Sequence, residues 1–143
     1  MKMAAVFFCY KKLSKEEFRA FFYSKRQLKE YFDLFCIVVD PLKDYALHDL
    51  DFNENQIFVE LNALKSLDHY TRFMKKPDLY ERFINYDYLL VWQDDAIVLN
   101  AKALQGREIE YSFIGATITK QISGVDYKYV GNGGLSLRKI DDH

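Results

Sequence analysis

The sequence predicts an α/β fold, a mostly parallel sheet flanked by helices. Three observations carry that expectation: apolar runs without polar alternation, helix-patterned stretches between them, and an acidic turn directly after the clearest run. A strand covered on both faces of a parallel sheet reads as a continuous apolar segment, whereas a strand with one wet face alternates.

Residues 3–10 (Met-Ala-Ala-Val-Phe-Phe-Cys-Tyr) are the first such run. They read as a buried strand and not as a secretion signal, being short and without a small-residue cleavage site. Ser14 with Glu17 three residues later forms a capping-box pattern that opens a helix reaching to about residue 32. Phe18, Phe21, Phe22, Leu28 and Phe32 fall near one face of it, an aromatic stripe that reads as core. Residues 34–39 form a second buried strand, closed by Asp40-Pro41 because proline cannot donate to a sheet ladder.

Residues 42–55 read as an irregular surface loop. Its Asp44, His48, Asp49, Asp51 and Glu54 lack the spacing of a metal-ligand set. Residues 56–61 form a third, weaker strand. From 63 to about 86 the pattern is helical, broken near Pro77, which suits the first turn of a new helix carrying Leu79, Tyr80, Phe83 and Ile84.

Residues 88–92 (Tyr-Leu-Leu-Val-Trp) are the clearest strand, and they run straight into Gln93-Asp94-Asp95. Residues 96–99 then resume the apolar character, so the charge is expected between two buried segments. Residues 113–116 form a further short strand. Tyr129-Val130 leads into Gly131-Asn132-Gly133-Gly134, followed by Leu-Ser-Leu-Arg138.

The chain has 143 residues, half of them hydrophobic, enough to bury a core in one domain spanning 1–143. Lys and Arg total 20 against 21 Asp and Glu, so no basic excess exists to neutralise a nucleic-acid backbone, and no such partner is expected. The basic pairs Lys11-Lys12, Lys25-Arg26 and Lys75-Lys76 read as solvated surface. Cys9 and Cys36 each sit in an apolar run, as free thiols do in a reducing cytoplasm, the expected location. No run approaches the roughly 20 residues of a membrane-spanning helix. His48, His69 and His143 form no ligand pair, and no nucleophile–histidine arrangement stands out.

Open α/β sheets bind ligands past the carboxyl ends of their strands, where Asp94 and Asp95 lie. One or two carboxylates plus substrate phosphates suffice to hold Mg²⁺; the alternative is a solvated acidic turn. The segment 131–134 either lets a ligand approach the main chain, since glycine has no Cβ, or forms a hairpin turn centred on Asn132-Gly133. It lacks the Lys-Ser/Thr of a nucleotide P-loop. Arg138 contacts a phosphate or caps the sheet.

Three segments together, residues 88–96, Phe113-Ile-Gly-Ala116 and residues 130–138, resemble a little-characterised glycosyltransferase-like family of GT-A type. Its members carry a strand ending Gln-x-Asp-Ala, a later Tyr-Ile-Gly-Ala and then Gly-Asn-Gly-Gly-Phe-Ser-Leu-Arg. Tyr70-Thr-Arg72 and residues 79–83 also resemble the helical segment before the family's acidic strand. The resemblance implies a GT-A fold, Rossmann-like, that binds a nucleoside diphosphate sugar through an Asp-x-Asp-type motif and a divalent cation, Mn²⁺ or Mg²⁺.

On that resemblance Asp95 is the metal ligand, Gln93 stands where the first aspartate is usual, and Asp94 fills the variable middle. Asn132, Gly133 and Gly134 line the donor-sugar and acceptor side, while Tyr10 and Asp40 hold the nucleotide base and ribose. The implied activity is sugar transfer to an acceptor glycan or glycoconjugate in polysaccharide biosynthesis. Family members usually continue past Ser-Leu-Arg, so the GT-A fold is expected to lack its C-terminal part here. The catalytic base is left unassigned, and the alternative is a non-catalytic or degenerate nucleotide-sugar-binding domain. A phosphoacceptor receiver domain also pairs acids after a strand, but near its first strand.

Overall fold

In the computed structural model, which describes residues 1–60, 66–104 and 112–142, the apolar runs become neighbours in one six-stranded sheet. The side chains of residue 67 and of residues 116–120, 122 and 127–133 lie outside that description. The strands are β1 (Met3–Cys9), β2 (Asp33–Val38), β3 (Ile57–Val59), β4 (Tyr88–Trp92), β5 (Phe113–Ile122) and β6 (Val125–Lys139), in the order β3-β2-β1-β4-β6-β5. β1 pairs in parallel with β2 and β4, and β2 with β3, whereas β6 is antiparallel to both β4 and β5. The sheet is therefore mixed: β5 runs with the first four strands and β6 alone is reversed.

β1 and β4 are buried along their whole length, which explains their unbroken apolar sequence. Alternate residues feed two cores. Ala5, Phe7, Cys9, Leu90 and Trp92 face α1 (Lys15–Leu28) and α2 (Lys43–His48), packing on Phe21, Leu28, Ala46 and Leu50. Ala4, Val6, Phe8, Leu89 and Val91 face α3 (Leu67–Met74) and α4 (Pro77–Glu81), packing on Phe73, Leu79, Tyr80 and Phe83.

That division creates a switch point in the sheet. From β1 the chain moves outward to β2 and β3 with α1 and α2 on one face. It then returns across β1 to β4 with α3 and α4 on the other. The strand order reverses between β1 and β4, and the crevice at the carboxyl end of such a switch point is where open α/β sheets bind ligands.

Ser14 caps α1 with both halves of the expected capping box, and Pro77 opens α4 at its first turn. Four expectations need correction. Residues 42–55 are not an irregular loop: they contain α2 and bury Ala46, Leu50 and Phe52, apolar groups too sparse to show a period. Of the segment after the acidic turn only Val98 is buried, while Ile97 and Leu99 are exposed and no strand forms. β5 extends well beyond residue 116. The hairpin turn joining β5 to β6 lies at Ser123-Gly124, both at positive φ, not at Asn132-Gly133. Leu61 and residues 63–65, expected to end β3 and open the next helix, lie outside the described residues.

The segment 131–134 is instead a disruption within β6. Gly115 faces Ser136 but the next residue, Ala116, faces Asn132, so β6 carries three extra residues there, 133–135. Bulges of this kind re-aim a strand and are frequent beside binding sites; glycine tolerates the local backbone.

Candidate functional site

Tyr10 and Lys11 emerge from the end of β1, and Gln93-Asp94-Asp95 from the end of adjacent β4, so both lie at the switch point. Successive residues leaving β4 turn to opposite sides, and this separates the two acids. Asp94 follows Trp92 toward the α1 side and is 8% exposed. Its carboxylate accepts from the Tyr10 hydroxyl at 3.1 and 3.2 Å and lies 3.1 Å from Lys11 Nζ. Lys11 also reaches Glu17 of α1, 3.1 Å to Oε1 and 2.9 Å to Oε2.

Glu17 and Asp94 thus share one ammonium, and each carboxyl acts on the other's ionisation. Hydrogen bonding to Asp94, then to Lys11, holds Glu17 down at about 2. Burial, then the Glu17 carboxyl, pushes Asp94 above the usual aspartate value. Two carboxyls this close oppose each other's ionisation, and the better-buried one is the harder to ionise. Burial and the Asp94 charge also raise Cys9 to about 12 and raise Tyr10 above the usual phenol value.

Asp95 goes the other way. It is exposed and makes no hydrogen bond or ion pair with the described residues, and its charge is felt by Tyr10 on one side and by Tyr70 of α3 on the other. Gln93 hydrogen-bonds Tyr70, whose hydroxyl is pushed up to about 12 chiefly by burial. Asp40 sits exposed past β2, at the start of a 3-10 turn. Gly134 is half-buried on β6; the side chain of Asn132 and the surroundings of Gly133 lie outside the described residues.

Of the expected site residues, the structure brings Tyr10 and Asp94 into contact and gathers Gln93, Asp94 and Asp95 at one strand end, with Asp40 two strands away in the sheet. Two members of the cluster escaped sequence reading. Lys11 was expected on the solvated surface and Glu17 only as a capping residue. The signal available was position, a lysine immediately past the first buried strand.

The donor set defines what could be held here. Among the described residues no three His, Cys, Asp or Glu side chains converge, so these residues offer no closed metal cage. Asp95 fits a cation that completes its shell with ligand phosphates and water, as Mg²⁺ commonly does. Asp94, already engaged by Tyr10 and Lys11, is not free in the same way. Beside the turn, a groove of about 360 Å³ between residues 97–104 and the β4–β6–β5 region is lined almost wholly by apolar side chains, Leu90, Leu99 and Leu137 among them. Among the described residues no helix is long and apolar enough to cross a membrane.

No curated protein matches the sequence. Residues 54–143, which span β3 to the end of β6 and include the acidic turn, match the model of a family described as "Protein of unknown function (DUF5672)", and the chain belongs to that family.

Proposed function

We propose that the chain is a GT-A-type glycosyltransferase domain that binds a nucleoside diphosphate sugar at the β1/β4 switch point. The observation that carries this reading is the splitting of the acidic turn. One aspartate is engaged by Tyr10 and Lys11 in a buried network, and the other projects past a central strand with no hydrogen bond or ion pair among the described residues. The resemblance of residues 88–96 and 130–138 to glycosyltransferase-like sequences independently selects the same residue, Asp95.

In this reading Tyr10, 42% exposed, offers its ring to the base, and Asp40 accepts from the ribose hydroxyls. The β6 bulge admits the donor sugar close to the main chain near Gly134. Transfer breaks the bond between the anomeric carbon and the diphosphate oxygen and forms one to an acceptor hydroxyl, whose proton must leave to a base. Negative charge grows on the diphosphate, and a divalent cation held at Asp95 would supply electrostatic stabilisation of it. The acceptor is a glycan or glycoconjugate, and a cytoplasmic location accords with two free, buried thiols.

Calorimetry with UDP- and GDP-sugars, with and without Mn²⁺, tests the reading. Cation-dependent binding that falls at least tenfold in Asp95→Asn is the expected result. Binding that Asp95→Asn leaves intact would place the site elsewhere, and donor binding without turnover would reduce the domain to a binding module.

A further inference from the structure

Arg138 is 9% exposed, yet the partners of its guanidinium among the described residues are all neutral. Nε donates to Ser136 Oγ at 3.2 Å, Nη1 donates to the Tyr80 hydroxyl at 2.7 Å, and the guanidinium carbon sits 5.2 Å from the Phe113 ring centroid. Nη2 has no hydrogen-bond partner among the described residues, and no carboxylate among them is ion-paired with this arginine. A buried cation with only neutral acceptors is costly, and replacing one by an apolar group of similar volume is often neutral or stabilising. Among the described residues nothing balances its charge, and an anion would.

The geometry indicates where that anion comes from. Arg138 faces Leu89 in the ladder and Ser136 faces Val91, so the Nε bond to Ser136 lays the side chain back along β6 toward the carboxyl end of β4. From the level of Val91 to Gln93 is two residues, roughly 7 Å of strand. Tyr70 stands between, within electrostatic reach of both Arg138 and Asp95 and hydrogen-bonded to Gln93. The β6 disruption begins just past Ser136, the residue that accepts from Arg138 Nε.

We propose that Arg138 is the anion anchor of the site, its guanidinium receiving phosphate oxygens of a diphosphate-bearing ligand that enters on the α3 side of the Asp95 turn. Guanidinium suits this role because its planar fork matches phosphate oxygens in a bidentate way. The identity of the ligand as a nucleotide sugar rests on the function proposed above; the anion anchor does not.

The test is titration of the purified chain with inorganic pyrophosphate, inorganic phosphate and acetate in buffer free of divalent cations, for wild type and Arg138→Met. Wild type should bind pyrophosphate more tightly than phosphate and acetate, and Arg138→Met should weaken pyrophosphate at least tenfold. Its thermal midpoint without anion should equal or exceed that of wild type, and pyrophosphate should raise the midpoint of wild type only. A midpoint several degrees lower with pyrophosphate binding unchanged makes Arg138 a tie between β6 and α4 and overturns the proposal. If Arg138→Met does not fold, Arg138→Lys decides, since unchanged pyrophosphate affinity in it also overturns the proposal, and weaker affinity supports it. Pyrophosphate binding through Arg138 without nucleotide-sugar binding removes the sugar reading alone. Cation-dependent nucleotide-sugar binding indifferent to Arg138→Met removes this inference alone.

Discussion

Replacing Trp92 by phenylalanine isolates an unusual feature under the site. Trp92 is the single tryptophan, fully buried at the end of β4, stacked on Phe21 at 5.8 Å and tilted against Phe7 at 5.1 Å. Its indole Nε1 is buried and has no hydrogen-bond partner among the described residues. Two effects of the substitution oppose each other. Exchanging the larger ring for the smaller removes about 40 Å² of buried apolar surface, worth about 1 kcal/mol at roughly 25 cal/mol per Å². A residual void of about 40 Å³ adds about 1 kcal/mol more. Against these, deleting an unsatisfied buried donor recovers about 1–3 kcal/mol. Trp92→Phe should therefore change stability by no more than about 1 kcal/mol, whereas Trp92→Ala should cost about 3–5 kcal/mol. Urea unfolding followed by far-ultraviolet circular dichroism measures both, the tryptophan signal being lost in the variants. A cost for Trp92→Phe above about 2.5 kcal/mol would refute the reasoning, because it would mean that the indole N–H has a partner.

The Glu17–Asp94 pair should give two variants opposite pH signatures in urea midpoints. Asp94 has a raised folded pKa, so its contribution is fully present below the ordinary 3.8 and is lost as pH rises through the folded value; Asp94→Asn should gain on wild type with rising pH. Glu17 has a lowered one, so its contribution is present above the ordinary 4.5 and is lost as pH falls toward about 2; the deficit of Glu17→Gln should close over that window. Phe83→Ala, which empties a fully buried ring site packed against Phe35 and Phe58, should cost about 3–5 kcal/mol by the same unfolding assay. Burial lifts Cys9 to about 12 and Cys36 well above the usual thiol value, so neither should react with a disulfide reagent at pH 8 until urea unfolds the chain.

Legibility followed the range of the interaction. β1, β2 and β4 were readable to within a residue or so because burial on both faces leaves a continuous apolar run. The start of α1 was readable because a capping box is complete within four residues of chain. α2 was not: six residues with one fully buried alanine carry no periodic signal, and the helix is held by tertiary packing of Ala46, Leu50 and Phe52. The turn between β5 and β6 was not legible for a related reason. An Asn-Gly pair is a good hairpin signal, but Ser123-Gly124 made the turn and left the glycines to absorb a bulge.

The candidate site divides the same way. The pair Asp94-Asp95, past the end of an unmistakable strand, was singled out from residue type and position, and the family resemblance chose Asp95 of the two. That Asp94 would be engaged internally was not legible, because its partners Tyr10 and Lys11 lie more than 80 residues away in sequence and meet it only when β1 and β4 pair. Sequence by itself determined the α/β class, the central strands and the capped first helix, and it marked the acidic turn at a strand end, since each depends on residues near one another in the chain. Tertiary structure alone decided which acid is engaged internally, which is exposed, and that Arg138 is buried with only neutral partners among the described residues. Those outcomes depend on strand order and register, which set distances between groups that no local pattern encodes.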